Sequence, residues 1–193
     1  MVIHKVKLYE AINTNPLTGL PGNMKIKEYI DKNLMKDVDL VLIYFDFDNF
    51  KPFNDKYGFR VGDRVIQLFS NIITSTLLNK NYFVGHIGGD DFFAAKTNYN
   101  LDEVISDVKH VVESFKKQVV SFYDKEDISN GYMVSKDRDG NLKHFKLMSV
   151  SAAILCIDKK FLKISKHNLH ISEILADLKK SAKVSGISLA CII

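Results

Sequence analysis

The sequence predicts an α/β (α+β) fold, a sheet flanked by helices in the order β-α-α-β-β-α-β-α-β with one extra β-hairpin. Three observations predict it. Val41-Leu42-Ile43-Tyr44-Phe45 is a continuous apolar run, the pattern of a strand buried on both faces. Two short apolar runs, 82–87 and 92–95, flank Gly88-Gly89-Asp90-Asp91 and read as a hairpin whose tip is that tetrapeptide. Between and beyond these strands, apolar residues recur at helical spacing and mark helix faces turned to a core.

In chain order, Ile3, Val6, Leu8, Ala11 and Ile12 trace a weak helical pattern, so 1–14 reads as a lead-in helix or linker and 15–193 as one domain. Pro16, Gly19, Pro21 and Gly22 form a loop, after which Asn23 is placed to cap a helix running to about Asn33. A short helix is expected over 49–57, closed by Gly58. A longer one follows from about Gly62-Asp63 to Leu78, with Val65, Ile66, Phe69, Ile72 and Ile73 on its core face. Asn100 and Glu103 form a capping box opening an amphipathic helix through Val119. Asp137-Arg138-Asp139-Gly140-Asn141 is a turn signal between two apolar runs and predicts the extra hairpin within 121–148. A buried strand over 149–157, a helix carrying Ile171 to Ala182 and a closing strand over 187–192 complete the chain.

The chemistry sits in acids. Side chains alternate along a strand, so Asp46 and Asp48, at the end of the buried run, point the same way. Two carboxylates there are costly unless a cation lies among them. Asp46, the Phe47 carbonyl and Asp90 offer hard oxygen ligands of the kind Mg²⁺ prefers, with substrate phosphates completing the shell. Gly88 and Gly89 permit positive φ and close approach of a ligand to the main chain. The tip taken alone is more often a solvated turn than a site, since turns favour these residue types.

Phe45-Asp46-Phe47-Asp48-Asn49-Phe50-Lys51-Pro52-Phe53-Asn54-Asp55, Gly62-Asp63 and Gly88-Gly89-Asp90-Asp91-Phe92 together resemble the motifs of the GGDEF family, the domain of diguanylate cyclases. Asn15-Pro16-Leu17-Thr18-Gly19-Leu20-Pro21-Gly22-Asn23 resembles that family's opening motif, with Asn15 and Met24 in place of its usual Asp and Arg. The resemblance implies a nucleotidyl cyclase and polymerase palm-like fold, its central mixed β-sheet flanked by helices. It also implies a site for GTP with Mg²⁺ or Mn²⁺, and a homodimer in which the 3′-hydroxyl of one GTP attacks the α-phosphate of the other. Asn54 and Asp63 would read the guanine edge, although helix capping explains the same residue types. Gly88, Gly89, Lys51 and Lys183 would meet the phosphates, Asp46, Phe47 and Asp90 the metal, and Asp91 with Asp90 would be the catalytic acids.

Several departures from the family bear on activity. The fourth hairpin position, usually Glu, is Asp91, one methylene shorter. The segment Ala182-Lys183-Val184-Ser185-Gly186-Ile187 keeps the lysine of A-K-x-x-G-R but has Ile187 for its arginine. His86 stands where an arginine is usual, and a lone strand histidine reads as structural. Asn79 and Tyr82 occupy the positions of the inhibitory R-x-x-D, so product inhibition through that site is expected to be absent. The insert over 121–148 and the form of the opening motif resemble GGDEF domains found downstream of EAL and CBS modules. Two readings therefore stand: a cyclase of reduced activity, or a silent GTP-binding domain regulating an attached or partner phosphodiesterase.

Composition narrows the class. With 193 residues, 46% of them hydrophobic and 26% charged, the chain has the make-up of an ordinary globular domain. The formal charge of +4 suits an anionic nucleotide, and no Lys/Arg stripe interleaved with aromatics marks a nucleic-acid binder. No apolar run approaches the ~20 residues of a membrane span, and Met1 to Asn15 lacks a signal-peptide core, so a cytoplasmic location is expected. The chain either works alone or is a domain excised from a longer protein. Cys156 and Cys191, in apolar surroundings, read as buried free thiols.

Overall fold

Strand β1 (Leu40–Asp48) is the middle of a five-stranded sheet, and everything that positions the site follows from its two faces. The computed structural model describes residues 13–36, 38–136, 139–160 and 171–192. The lead-in pattern over 1–12 lies outside the described residues; Thr14 pairs in an isolated bridge with Pro21. Helix α1 (Asn23–Leu34) precedes β1; α2 (Phe50–Tyr57), α3 (Phe59–Leu77), β2 (Phe83–Gly88), β3 (Asp91–Thr97) and α4 (Leu101–Val119) follow it. Then come α5 (Lys125–Asn130), β4 (Tyr132–Lys136), β5 (Leu142–Lys146), β6 (Ser149–Ile157), α6 (Ile171–Ser185) and β7 (Ile187–Ile192). The sheet order is β2-β3-β1-β6-β7, with β6 and β7 parallel and the other pairs antiparallel. This is the predicted mixed sheet, and β4 and β5 form the predicted extra hairpin as a separate two-stranded sheet.

Alternation along β1 divides the core. Val41, Ile43, Phe45 and Phe47 join one apolar cluster with Val65, Phe69 and Ile73 of α3 and Val104, Val108, Val111 and Phe115 of α4. Leu40 and Leu42 join the opposite cluster with Ile26 of α1 and Leu175 of α6, against which Tyr44 packs. Asp46 and Asp48 continue the face that α6 covers. The ring of Phe69 lies 5.6 Å from Phe45, 5.1 Å from Phe47, 4.8 Å from Phe92 and 5.2 Å from Phe115, each contact edge-on. Such contacts add to the burial of the rings themselves.

Local differences from the sequence expectation have local causes. Helix α3 begins at Phe59 rather than Gly62, because Gly58 (φ 85°) both ends α2 and starts α3. Asn23 is the first helical residue of α1, and the position before it is Gly22, without a side-chain cap. The Asn100 amide oxygen does cap α4, accepting the Glu103 N–H at 3.0 Å. Cys191 is exposed rather than buried: β7 is an edge strand, and the residue lies on its open face beside its register partner Cys156, which is buried. The insert is anchored to α2 where Lys56 meets Asp127 at 2.6 Å and the Tyr57 hydroxyl donates to the same carboxylate.

Candidate active site

Asp46 sits directly opposite Asp91 in the antiparallel β1–β3 register, and the hairpin tip carries Asp90 beside them. Phe45 and Phe47 point into the core, so Asp46 and Asp48, which alternate with them, emerge together at the end of the strand. Asp48 faces the start of β6, where the hydroxyls of Ser149 and Ser151 donate to its carboxylate at 2.7 and 2.8 Å. Gly88 (φ 149°) and Gly89 (φ 56°) give the tip a path that residues with a Cβ rarely follow.

Two lysines of α6 meet this acidic edge. Lys183 Nζ lies 2.8 Å from Asp46 Oδ1, 2.9 Å from Asp48 Oδ1 and 3.0 Å from the Phe47 carbonyl oxygen. Burial opposes its charge, but hydrogen bonds to Asp46 and Asp48 outweigh that and hold the ammonium pKa above its ordinary value. Lys179 Nζ lies 2.8 Å from Asp91 Oδ1 and 3.5 Å from Asp46 Oδ2. The Asp90 carboxyl is pushed up by burial and by the negative charges of Asp46 and Asp91, with a hydrogen bond to its own backbone and, more weakly, Lys183 opposing.

Among the described residues no group of three or more His, Cys, Asp or Glu side chains is arranged to hold a metal. The donor set nevertheless fits a hard cation. The Asp46 carboxylate and the Phe47 carbonyl already converge on one positive atom, the Lys183 ammonium, and both are oxygen ligands suited to Mg²⁺. A metal there would take the place of that ammonium.

The predicted site residues fall into three groups. Asp46, Phe47, Lys51, Asp90 and Lys183 line one groove of about 1430 Å³, with Lys136, Lys143 and Lys146 of the extra hairpin on its wall. Gly88, Gly89 and Asp91 of the β2–β3 hairpin are not among its lining residues. Asn54 and Asp63 are not among them either and belong to the α2–α3 pair. Neither is a cap, since both lie beyond the first turn of their helices. The Asn54 Oδ1 atom is buried with no hydrogen-bond partner among the described residues, an acceptor in want of a donor. It occupies space that exists because residue 62 is glycine: a Cβ there would come within 2.0 Å of it. Asp63 is exposed on the next helix.

His86 is structural, as its strand position implied. Its Nε2–H donates to the Gly89 carbonyl at 3.0 Å, since a carbonyl only accepts, and its Nδ1 accepts from the Thr18 hydroxyl at 3.0 Å. The ring stacks on Phe92 at 4.1 Å, tying the opening loop to the hairpin tip. Burial lowers the pKa of this imidazole below its ordinary 6.5, against smaller raising effects of Gly89 and Asp91. A base with a depressed folded-state pKa stabilises the fold above its unfolded value and loses that contribution as pH falls through the window below 6.5. His86→Gln is therefore expected to be less stable than wild type at neutral pH, with the deficit shrinking below pH 6.5; urea midpoints at several pH values check this.

Sequence reading missed three participants: Lys179, Ser149 and Ser151. Lys179 had one available signal, its position one helical turn before Lys183 on the same face.

A profile described as "Diguanylate cyclase, GGDEF domain" matches residues 12–150. The chain belongs to the GGDEF family. An uncharacterized membrane protein of Staphylococcus epidermidis is 29% identical over 141 residues, 67% of this chain and 39% of that protein. The diguanylate cyclase DgcP of Pseudomonas aeruginosa is 31% identical over 83 residues, 41% of this chain and 12% of that protein. The chain thus spans two fifths or less of the length of these curated relatives. The crystal structure of the coiled coil and GGDEF domain of DgcB from Caulobacter crescentus, in complex with c-di-GMP, superimposes with a TM-score of 0.71 at 19% identity. It covers 97% of this chain and 90% of that one. The fold is that of a GGDEF domain. Among the described residues no helix is long and apolar enough to cross a membrane.

Proposed function

We propose that this GGDEF domain binds GTP with a divalent cation and, as a dimer of GTP-loaded subunits, forms cyclic diguanylate from two GTP at reduced rate. The observation that carries the reading is the convergence of Asp46, the Phe47 carbonyl and Asp90 on one groove beside the glycine-built tip. These groups would hold Mg²⁺ or Mn²⁺, which when bound supplies charge to the reacting α-phosphate. Lys183 would exchange its carboxylate partners for the outer phosphates, with Lys51 beside it. Gly88 and Gly89 would let phosphate oxygens approach the main chain. Asn54 and Asp63 would hold the guanine, the amide oxygen meeting a base N–H and the carboxylate taking a donor pair. Asp91, with Asp90, would accept the proton of the attacking 3′-hydroxyl. The domain would act in the cytoplasm.

A second reading is favoured by one specific observation, the engagement of Asp91 by Lys179. A carboxylate held by an ammonium does not take a hydroxyl proton until it is released. On that reading the domain binds GTP without turning it over and regulates an EAL-type phosphodiesterase, in the same chain or in a partner, alongside CBS-type modules. Chromatography of products after incubation with GTP and Mg²⁺ or Mn²⁺ at high protein concentration separates the two. Cyclic diguanylate is the expected product. Its absence while GTP still binds would replace the cyclase reading by the regulatory one.

The guanine assignment makes its own prediction. Gly62→Ala should push the Asn54 amide aside and weaken binding of a fluorescent GTP analogue by roughly tenfold, the loss of about one hydrogen bond to a buried donor. The metal affinity, measured separately with Mn²⁺, should not change.

A further inference from the structure

Four carboxylates meet at this edge of the sheet, Asp46, Asp48, Asp90 and Asp91, and two ammonium groups face them from α6. The two lysines are not equivalent. Lys183 holds Asp46 Oδ1 and the Phe47 carbonyl, the donors proposed for the metal, and must withdraw when a metal binds. Lys179 holds neither the Phe47 carbonyl nor Asp90. Its ammonium rests on Asp91 Oδ1 at 2.8 Å, on Asp46 Oδ2 at 3.5 Å, and 4.2 Å from the centre of the Tyr44 ring.

This three-sided seat is rigid in its parts. Asp46 and Asp91 are register partners at the ends of two neighbouring inner strands, and Tyr44 is on the same face of β1 as Asp46. The aromatic face adds an attraction for an ammonium that it does not offer to a carboxylate. Of its two carboxylates only Asp46 belongs to the proposed metal set, and Lys179 meets Oδ2 of that group whereas Lys183 holds Oδ1. Metal binding therefore displaces Lys183 and leaves Lys179 on Asp91, from which it must withdraw only when the 3′-hydroxyl is deprotonated.

We propose that Lys179 is a resident counter-cation of the acid cluster, neutralising Asp91 and the outer oxygen of Asp46 in place of a second metal ion. Each chain then takes one divalent cation. A second ion between Asp46 and Asp91 would have to approach within about 4 Å of the ammonium, where repulsion between unit charges near a protein surface is already large. Lys179 acts here as a positioning residue, since it works through Asp46 and Asp91. The inference rests on the proposed function only in placing the first metal at Asp46, Phe47 and Asp90.

The test counts bound Mn²⁺ by electron paramagnetic resonance in metal-free protein titrated without nucleotide. Wild type and Lys179→Arg, which keeps the charge, should each bind one tight ion. Lys179→Gln and Lys179→Leu should bind a second, at least tenfold tighter than any second ion on wild type. A purely structural role for Lys179 would not raise metal stoichiometry, and the Arg variant would not restore it. Thermal unfolding of all four in chelator establishes that each is folded, and the Gln variant keeps the test decisive if the Leu variant is not. Two equally tight ions on wild type, or wild-type binding by the folded Gln variant, would overturn the Lys179 assignment alone. Absence of tight Mn²⁺ binding by every protein would overturn it together with the metal site of the proposed function.

Discussion

Replacement of Phe69 by alanine is expected to cost about 3–5 kcal/mol of folding stability, the range for truncating a fully buried aromatic ring. Phe69 is wholly inaccessible to solvent, and its ring touches Phe45, Phe47, Phe92 and Phe115 at once. For a domain of this size the melting temperature should fall by roughly 6–20 °C. Phe47 separates Asp46 from Asp48, and Phe92 follows Asp91, so the same ring cluster fixes the backbone from which the acids project. Chemical denaturation measures the first effect. Mn²⁺ affinity of the variant below its melting point measures the second and should also fall.

Asp46→Asn should do the opposite, leaving the fold intact and removing the ligand response. Its carboxylate is partly exposed, and both lysines keep another acid, Lys183 through Asp48 and Lys179 through Asp91. The change in stability of the metal-free protein should therefore stay within about 1 kcal/mol. One charged donor is lost from the proposed metal set, and affinity for Mg²⁺ with GTP should drop at least ~100-fold. Wild type should melt higher when Mg²⁺ and GTP are added, as any protein does whose folded state alone binds ligand. The variant should show almost no shift, and an equal shift in both proteins would remove Asp46 from the metal site.

How far the sequence led depends on the range of the signal. The period of two along β1 put Asp46 and Asp48 on one face, and Lys183 indeed touches both. The GGDD tip between apolar runs located the β2–β3 turn, because glycines and acids at a hairpin are a local signal. Contacts across long separations were not legible. Lys179 and Asp91 are 88 residues apart, and Lys56 and Asp127 are 71 apart, so only the packing of α6 and α5 brings them together. Resemblance places Lys183 on phosphates, whereas in the structure its ammonium pairs with the carboxylates of Asp46 and Asp48. Helix α3 starts earlier than expected because one residue, Gly58, serves both helices, and Cys191 is open because strand position in a sheet is not written in local hydropathy.

The central claim, a GTP and metal site built on the end of β1, the hairpin tip and the α2–α3 pair, is tested most directly by calorimetric titration with GTP in the presence and absence of Mg²⁺. The predicted result is saturable binding by wild type that requires Mg²⁺ for full affinity and is lost or strongly weakened in Asp63→Ala. No binding by folded wild type, or undiminished binding by Asp63→Ala, would contradict it.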